Sequence, residues 1–301
     1  MSERRMKIGL IGLDTGHVVS TASLFHSAGQ EWHVPGAQVT VACADTNPDF
    51  FNYHRTAAYT KTLQENYGVQ IVDTLEEVAR ECDVIFLSSI DARAHHRQFL
   101  EIAEFRKPVV VEKPLALLYE DAVHMVEIAE ANAVPLFCCS SLRYAEAFVR
   151  GIQDETGGRI LGADVSGPLP IEPQLPGMFW YGVHVTELLF ASLGTGCKRV
   201  NATMNELHEV IVGEWEDGRI GSVRGNRYGN SLYSAVLFRE QRAQWIDVRS
   251  HPRPDFSNFL EKVIDMVRSG KSPVSPEEML SVIRFMEASN ESRLSGKAVR
   301  L

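Results

Sequence analysis

The sequence predicts a doubly wound α/β domain followed by an α+β domain with a mostly antiparallel, open sheet. Three observations carry this. Over residues 1–140, short apolar runs alternate with amphipathic helical stretches, the signature of a parallel sheet with crossover helices. Over residues 141–301, strand-like runs follow one another with only turn residues between them. The length, 301 residues, suits two cores better than one.

The elements follow in order. "MKIGLIGL" is a continuous apolar run, as a buried parallel strand should be. "HVVSTASLFHSAG" reads as a helix closed by Gly29, and "AQVTVACAD" as the second strand. "PDFFNYHRTAAYTKTLQENYG" is helical and ends at Gly68; "VQIV" is a third strand. Thr74 and Glu77 form a capping box for "LEEVAREC". "DVIFLSS", "ARAHHRQFLEIAEF", "KPVVVEKP", "YEDAVHMVEIAEANA" and "VPLFCCS" complete the alternation. In the second half, "GRILGADVSGPLPIEPQLPG", rich in Gly and Pro, is strand plus loop and "VHVTELLFASLG" a helix. Five strand-like runs come next, with "WEDGRI" as a hairpin. Two helices close the chain, one ending at Gly270 and one capped by Ser275, Pro276 and Glu278, with Met279, Val282, Ile283 and Met286 on one face.

Composition excludes several classes. A net charge of −9, with no basic stripe, argues against a nucleic-acid surface. No apolar run approaches the ~18 residues of a membrane span. The start, "MSERRMKIGLIGL", has the basic residues of a signal peptide, but its apolar part is short and "DTGHV" offers no cleavage site, so it reads as a strand. The five cysteines make no CxxC and no zinc-ligand spacing, and suit buried thiols in a reducing cytoplasm; no metal is expected.

Ligands of open parallel sheets bind beyond the carboxyl ends of the strands. There "GLIGLDTGH" should carry G-x-G-x-x-G if a dinucleotide binds. Gly12 takes the first position, Asp14 the second and His17 the third, with Gly16 one place early. A carboxylate at the second position repels pyrophosphate; alternatively Asp14 caps the helix. The loop then binds a dinucleotide differently, or not at all. Asp45 ends the second strand, where an acid accepts from an adenosine ribose and selects NAD over NADP; the alternative is a turn residue before Asn47-Pro48. Glu112 and Lys113 end a valine-rich strand before Pro114, either as a structural ion pair or as an active site.

Taken together, "HHRQFLEIAEFRKPVVVEKPLA", "SLRYAEAF" and the tail from "FLEKVIDMVRSG" to the end resemble the Gfo/Idh/MocA oxidoreductases, over nearly the whole chain. The resemblance implies a Rossmann domain and hydride transfer between NAD and a hydroxyl or carbonyl of a sugar, polyol or related small molecule, with NADP disfavoured. It implies Lys113 as the catalytic lysine, oriented by Glu112, with His95 at the family's usual histidine position. The cofactor set is then Gly9, Gly12, Leu13, Asp14, Thr15, Gly16, His17, Asp45, Ser88, His95, Glu112 and Lys113.

The family's D-x-x-x-H corresponds to "WYGVHVTELL": His184 matches, but Trp180 replaces the aspartate. His184 is expected to be a general acid/base, and Glu187, one turn on, a substitute for the missing acid. Arg143 and Tyr144 are candidates for binding substrate hydroxyls or a carboxylate, Trp180 and Tyr181 for a stacking wall, and Lys113 and His184 complete the substrate set. Asp14 and Trp180 keep two other readings open. One is a ligand-binding or regulatory protein without redox activity; the other is a non-redox enzyme using Asp14, His17 or Glu187. A cytoplasmic homodimer or homotetramer, joined through the open sheet, is implied.

Overall fold

The computed structural model describes residues 4–301; residues 1–3, the start of the stretch weighed above as a signal peptide, lie outside the described residues. The chain divides into two compact units. One comprises the described residues up to Cys139 together with Phe259–Pro276; the other comprises Ser140–Asn258 with Glu277–Leu301. Among the described residues no helix is long and apolar enough to cross a membrane.

In the first unit, β1 (Met6–Ile11), β2 (Ala37–Cys43), β3 (Gln70–Val72), β4 (Val84–Leu87), β5 (Val109–Val111) and β6 (Leu136–Phe137) form one parallel sheet. Its order is β3-β2-β1-β4-β5-β6. Helices α1 (His17–His26), α2 (Thr56–Tyr67), α3 (Leu75–Glu81), α4 (His95–Ile102) and α5 (Tyr119–Ala131) supply the crossovers. Helices cover both faces, which is why β4 and β5 are apolar at every position and buried throughout. Strand order reverses between β1 and β4, and that switch point sets the crevice at their carboxyl ends.

Local chemistry fixes the helix ends. The Thr74 hydroxyl accepts from Glu77 N–H while the Glu77 carboxylate accepts from Thr74 N–H, the expected capping box. Gly68 ends α2 in the left-handed conformation. Two expectations are corrected. Helix α1 stops at His26, capped by Ser27 N–H on the Ser23 carbonyl, before Gly29 is reached. Residues 48–52 turn rather than coil into helix, because the Asn47 side chain accepts from Asp49 N–H and its carbonyl from Phe50 N–H; α2 starts only at Thr56.

The second unit holds α6 (Glu146–Gln153), β7 (Ile160–Pro168), α7 (Gly182–Leu193), β8 (Cys197–Met204), β9 (His208–Trp215), β10 (Ile220–Asn226), β11 (Ser234–Arg239), β12 (Ala243–Asp247), α9 (Pro276–Ser295) and β13 (Val299–Arg300), with α8 (Asp255–Ser269) passing from it into the first unit. The sheet order is β12-β11-β7-β10-β9-β8-β13. All pairs are antiparallel except β7 with β10. The expected hairpin joins β9 to β10. On the inner face Phe190 of α7 packs against Trp215 and against Phe285 of α9, centroids 5.7 and 5.6 Å apart. Met279, Val282, Ile283 and Met286 are buried, as their spacing predicts. The outer face leaves Ile220, Phe238 and Trp245 exposed, the first two flanking Gly162 in one cross-strand row.

Candidate functional site

The first unit's crevice is built on the β1–α1 loop. Gly12 has φ +84°, and a Cβ there would lie 2.4 Å from the Ser89 backbone nitrogen. Glycine is therefore required by the loop after β4 itself. Gly9, inside β1, plays a packing part: a Cβ would meet Val78 of α3 at 2.5 Å. Leu13, next to Gly12, is fully buried, and Thr15 Oγ1 accepts from His17 N–H at 3.3 Å.

Asp14 does not point outward. Its side chain is fully buried, Oδ1 accepts from Ile90 N–H at 3.0 Å, and Oδ2 has no hydrogen-bond partner among the described residues. Burial pushes the carboxyl up to about 6, and Asp91 and Glu112 add to this against the Ile90 N–H. The repulsion expected between this carboxylate and a pyrophosphate is thus moderated: the group is turned into the protein and bonded there. Gly16, the residue before α1, has no side chain, so the helix N-terminus is left bare, as an anion site requires.

The Glu-Lys-Pro turn follows β5. Glu112 Oε2 lies 2.8 Å from His17 Nδ1, and Oε1 lies 3.4 Å from Lys113 Nζ. Burial alone would raise the Glu112 carboxyl, but His17 and then Lys113 outweigh it and hold it well below the usual carboxylate range. The Lys113-Pro114 peptide is cis. His95, fully buried at the start of α4, spans from the Ser89 carbonyl (Nε2, 2.7 Å) to the Pro114 and Leu115 carbonyls (Nδ1, 3.1 and 3.2 Å); burial lowers its basicity. It braces the loop after β4 against the turn after β5. Ser88 continues the sheet, donating its N–H to the Ile11 carbonyl.

Asp45 stands just past β2. Its Oδ2 accepts from Arg97 at 2.5 Å and Gln98 at 2.8 Å, and Arg97 also meets Glu101 at 3.4 Å. Arg97 and Gln98 escaped the sequence reading, because the i, i+1 pair on α4 points at a residue 52 and 53 positions away. One guanidinium between two carboxylates leaves a negative balance at the end of β2. A bare helix N-terminus, an inward Asp14 and this acid together fit a dinucleotide.

In the second unit His184 lies in the first turn of α7, with Nδ1 2.7 Å from Ser140 Oγ. Its ring meets Tyr181 and Tyr233 edge-on, centroids 5.6 and 5.8 Å away, and Tyr181 in turn meets Trp180 at 5.4 Å. The Arg249 guanidinium lies over Tyr233, 5.3 Å from its centroid. Glu187, one turn on, meets the same 3-10 turn as His184, through Arg143 where His184 uses Ser140. It is buried, 2.8 Å from Arg143, which also pairs with Glu278; the Tyr144 carbonyl accepts from Asn258. Burial pushes Glu187 up to about 7 against the pull of Arg143. Ser140 and Tyr233 were not legible as partners of His184, being 44 and 49 residues distant with no motif of their own.

Residues 50–139 match a family model described as the oxidoreductase family, NAD-binding Rossmann fold, of the Gfo/Idh/MocA group. Solved structures share the whole fold at low identity. A probable dehydrogenase from Thermotoga maritima is 18% identical with TM-score 0.80, covering 98% of this chain and 99% of its own. The myo-inositol 2-dehydrogenase of Lactobacillus plantarum is 15% identical with TM-score 0.81, covering 99% and 100%. The WlbA dehydrogenase of Bordetella pertussis, solved with NADH and UDP-GlcNAcA, is 19% identical with TM-score 0.78, covering 99% of both chains. The segment running from α2 through the Glu-Lys-Pro turn to β6 is thus similar to the NAD-binding Rossmann fold of that oxidoreductase family.

Proposed function

We propose that this chain is an NAD-dependent dehydrogenase that moves a hydride between the nicotinamide and a hydroxyl-bearing carbon of a sugar, polyol or related small molecule. The family match over residues 50–139 supports the cofactor, and the sharing of Glu112 between His17 and Lys113 is the observation that carries the chemistry. NAD would supply the hydride acceptor for alcohol oxidation.

In this reading the N-terminus of α1, with Gly16 and His17, holds the pyrophosphate and Asp45 the adenosine ribose. Lys113 presents its ammonium to the substrate oxygen, and Glu112 fixes its direction. His184 gives a hydrogen bond to the substrate, against a wall formed by Trp180 and Tyr181. Arg143 and Glu187 support α7 through their ion pair rather than through substrate. Sugars and polyols suit such a site because several hydroxyls can be read at once; the neighbours crystallised as inositol dehydrogenases and with UDP-GlcNAcA motivate the first compounds to try.

Titration with NADH, followed by tryptophan emission and thermal stabilisation, tests the reading; absence of any shift at millimolar NADH overturns it. Trp180, in place of the family's aspartate, favours one rival: a ligand-binding protein that holds NAD without turnover. Binding of NADH with no oxidation of any of a broad polyol and sugar panel would support that rival. A homodimer or homotetramer through the outer sheet face is part of the same proposal, since Ile220, Phe238 and Trp245 otherwise stay in water. A monomeric mass by light scattering refutes it.

A further inference from the structure

His184 has a partner that the resemblance does not provide. Ser140 is fully buried and sits at the N-cap of the short 3-10 turn Ser141–Tyr144. Its Oγ accepts from Leu142 N–H at 3.3 Å, the bond that caps this turn. A serine hydroxyl has one proton to give, and His184 Nδ1 stands 2.7 Å from the oxygen. The two edge-on tyrosines, Tyr181 and Tyr233, limit rotation of the imidazole about this bond.

We propose that Ser140 is the positioning residue for His184: it donates its hydroxyl proton to Nδ1 and so fixes the neutral imidazole as the Nε2–H tautomer. The proton count follows. Nδ1 uses its lone pair on Ser140, and Nε2, across the ring, carries the only ring N–H. In the neutral form Nε2 therefore gives a hydrogen bond and has no lone pair with which to accept a proton. In that form His184 offers an N–H to a substrate oxygen and takes no proton from it. This differs from a histidine held by a carboxylate, which takes its proton on the nitrogen facing the acid and leaves the other as a base. Trp180 stands where the resemblance implies an aspartate, and Ser140 sets the opposite tautomer. The second step, on substrate, rests on the dehydrogenase reading; the tautomer itself does not.

The test is the long-range proton–nitrogen NMR spectrum of the cofactor-free full chain, with His184→Gln used to assign the His184 ring. In the native protein, at alkaline pH where the imidazole is neutral, the spectrum should show an acceptor-type Nδ1 and a protonated Nε2. Ser140→Ala should lose the fixed tautomer and give a mixture, while Ser140→Thr, which keeps the hydroxyl, should restore it. A native spectrum with Nδ1 protonated overturns the proposal, as does an unchanged spectrum in a folded Ser140→Ala. Should Ser140→Ala not fold, the native spectrum alone still decides. Failure of NADH to bind would remove the dehydrogenase reading and leave the tautomer standing; the reverse result would leave NADH binding intact.

Discussion

His17 and Glu112, 95 residues apart in sequence, meet at 2.8 Å between imidazole and carboxylate. The same carboxylate holds Lys113 with its other oxygen at 3.4 Å. The start of α1 and the Glu-Lys-Pro turn are thus joined through one anion. Glu112→Gln removes it. Turnover on a competent hydroxyl substrate should fall by about 10²-fold, the lower range for a displaced proton-transfer group, with NADH affinity changed much less. The acid side of the stability curve should change too. The Glu112 carboxyl is held below its ordinary 4.5, so it stabilises the native state above that pH and loses the contribution as pH falls toward the depressed value. The variant's melting temperature should fall less steeply on acidification; equal slopes would count against the pairing.

Asp14 has the opposite sign. Its carboxyl rises from an ordinary 3.8 to about 6, so the native state binds the extra proton between these values and loses stability as pH climbs through them. Asp14→Asn keeps the acceptor for Ile90 N–H and carries no charge. The stability difference between variant and native should grow by about 3 kcal/mol from pH 3.8 to pH 6, then level off. Denaturant unfolding at a series of pH values measures it. A difference independent of pH would show that Asp14 titrates normally.

In the proposed function, Asp45 and its partner Arg97 set the cofactor preference. With Asp45→Asn, Arg97 keeps Glu101 but loses its stronger partner, and repulsion of a 2′-phosphate is removed. The ratio of NADPH to NADH dissociation constants should drop roughly tenfold or more, about 1.4 kcal/mol. Fluorescence titration with both nucleotides gives the ratio directly. An unchanged ratio would place the ribose elsewhere.

Glu187 should matter for stability and not for proton traffic. Its carboxylate is committed to Arg143, and Glu278 remains to hold that guanidinium when Glu187 is replaced. Glu187→Gln should cost roughly 1–3 kcal/mol of stability. The pH dependence of turnover should keep its shape. A displaced limb of the pH profile would instead bring Glu187 into the acid/base chemistry.

Much of the fold was legible because local rules agreed with it. The Thr74–Glu77 box, Gly68 at the end of α2, and the unbroken valines of β5 are each decided within a few residues. The parallel pairing of β7 with β10 was not, since no periodicity records which strand a long connection returns to. In the site, Lys113 and His184 stood out as charged or titratable residues beside apolar runs. The direction of Asp14 and the partners of Asp45 and His184 did not, because they depend on residues brought together from other loops. A carboxylate at a glycine position reads as a defect from the sequence; bonded to Ile90 N–H, it ties two loops.

The first unit is completed by Phe259–Pro276, where Phe259 stacks on Phe137 of β6 with ring centroids 5.2 Å apart. That arrangement sets an order on synthesis. When Cys139 leaves the ribosome the parallel sheet is whole in sequence, yet its closing segment is still untranslated. At about 5–20 residues per second, on the order of ten seconds pass before it emerges. Throughout that interval Phe137 lacks the ring that stacks on it, and the second unit waits longer still for its own closing segment, Glu277–Leu301.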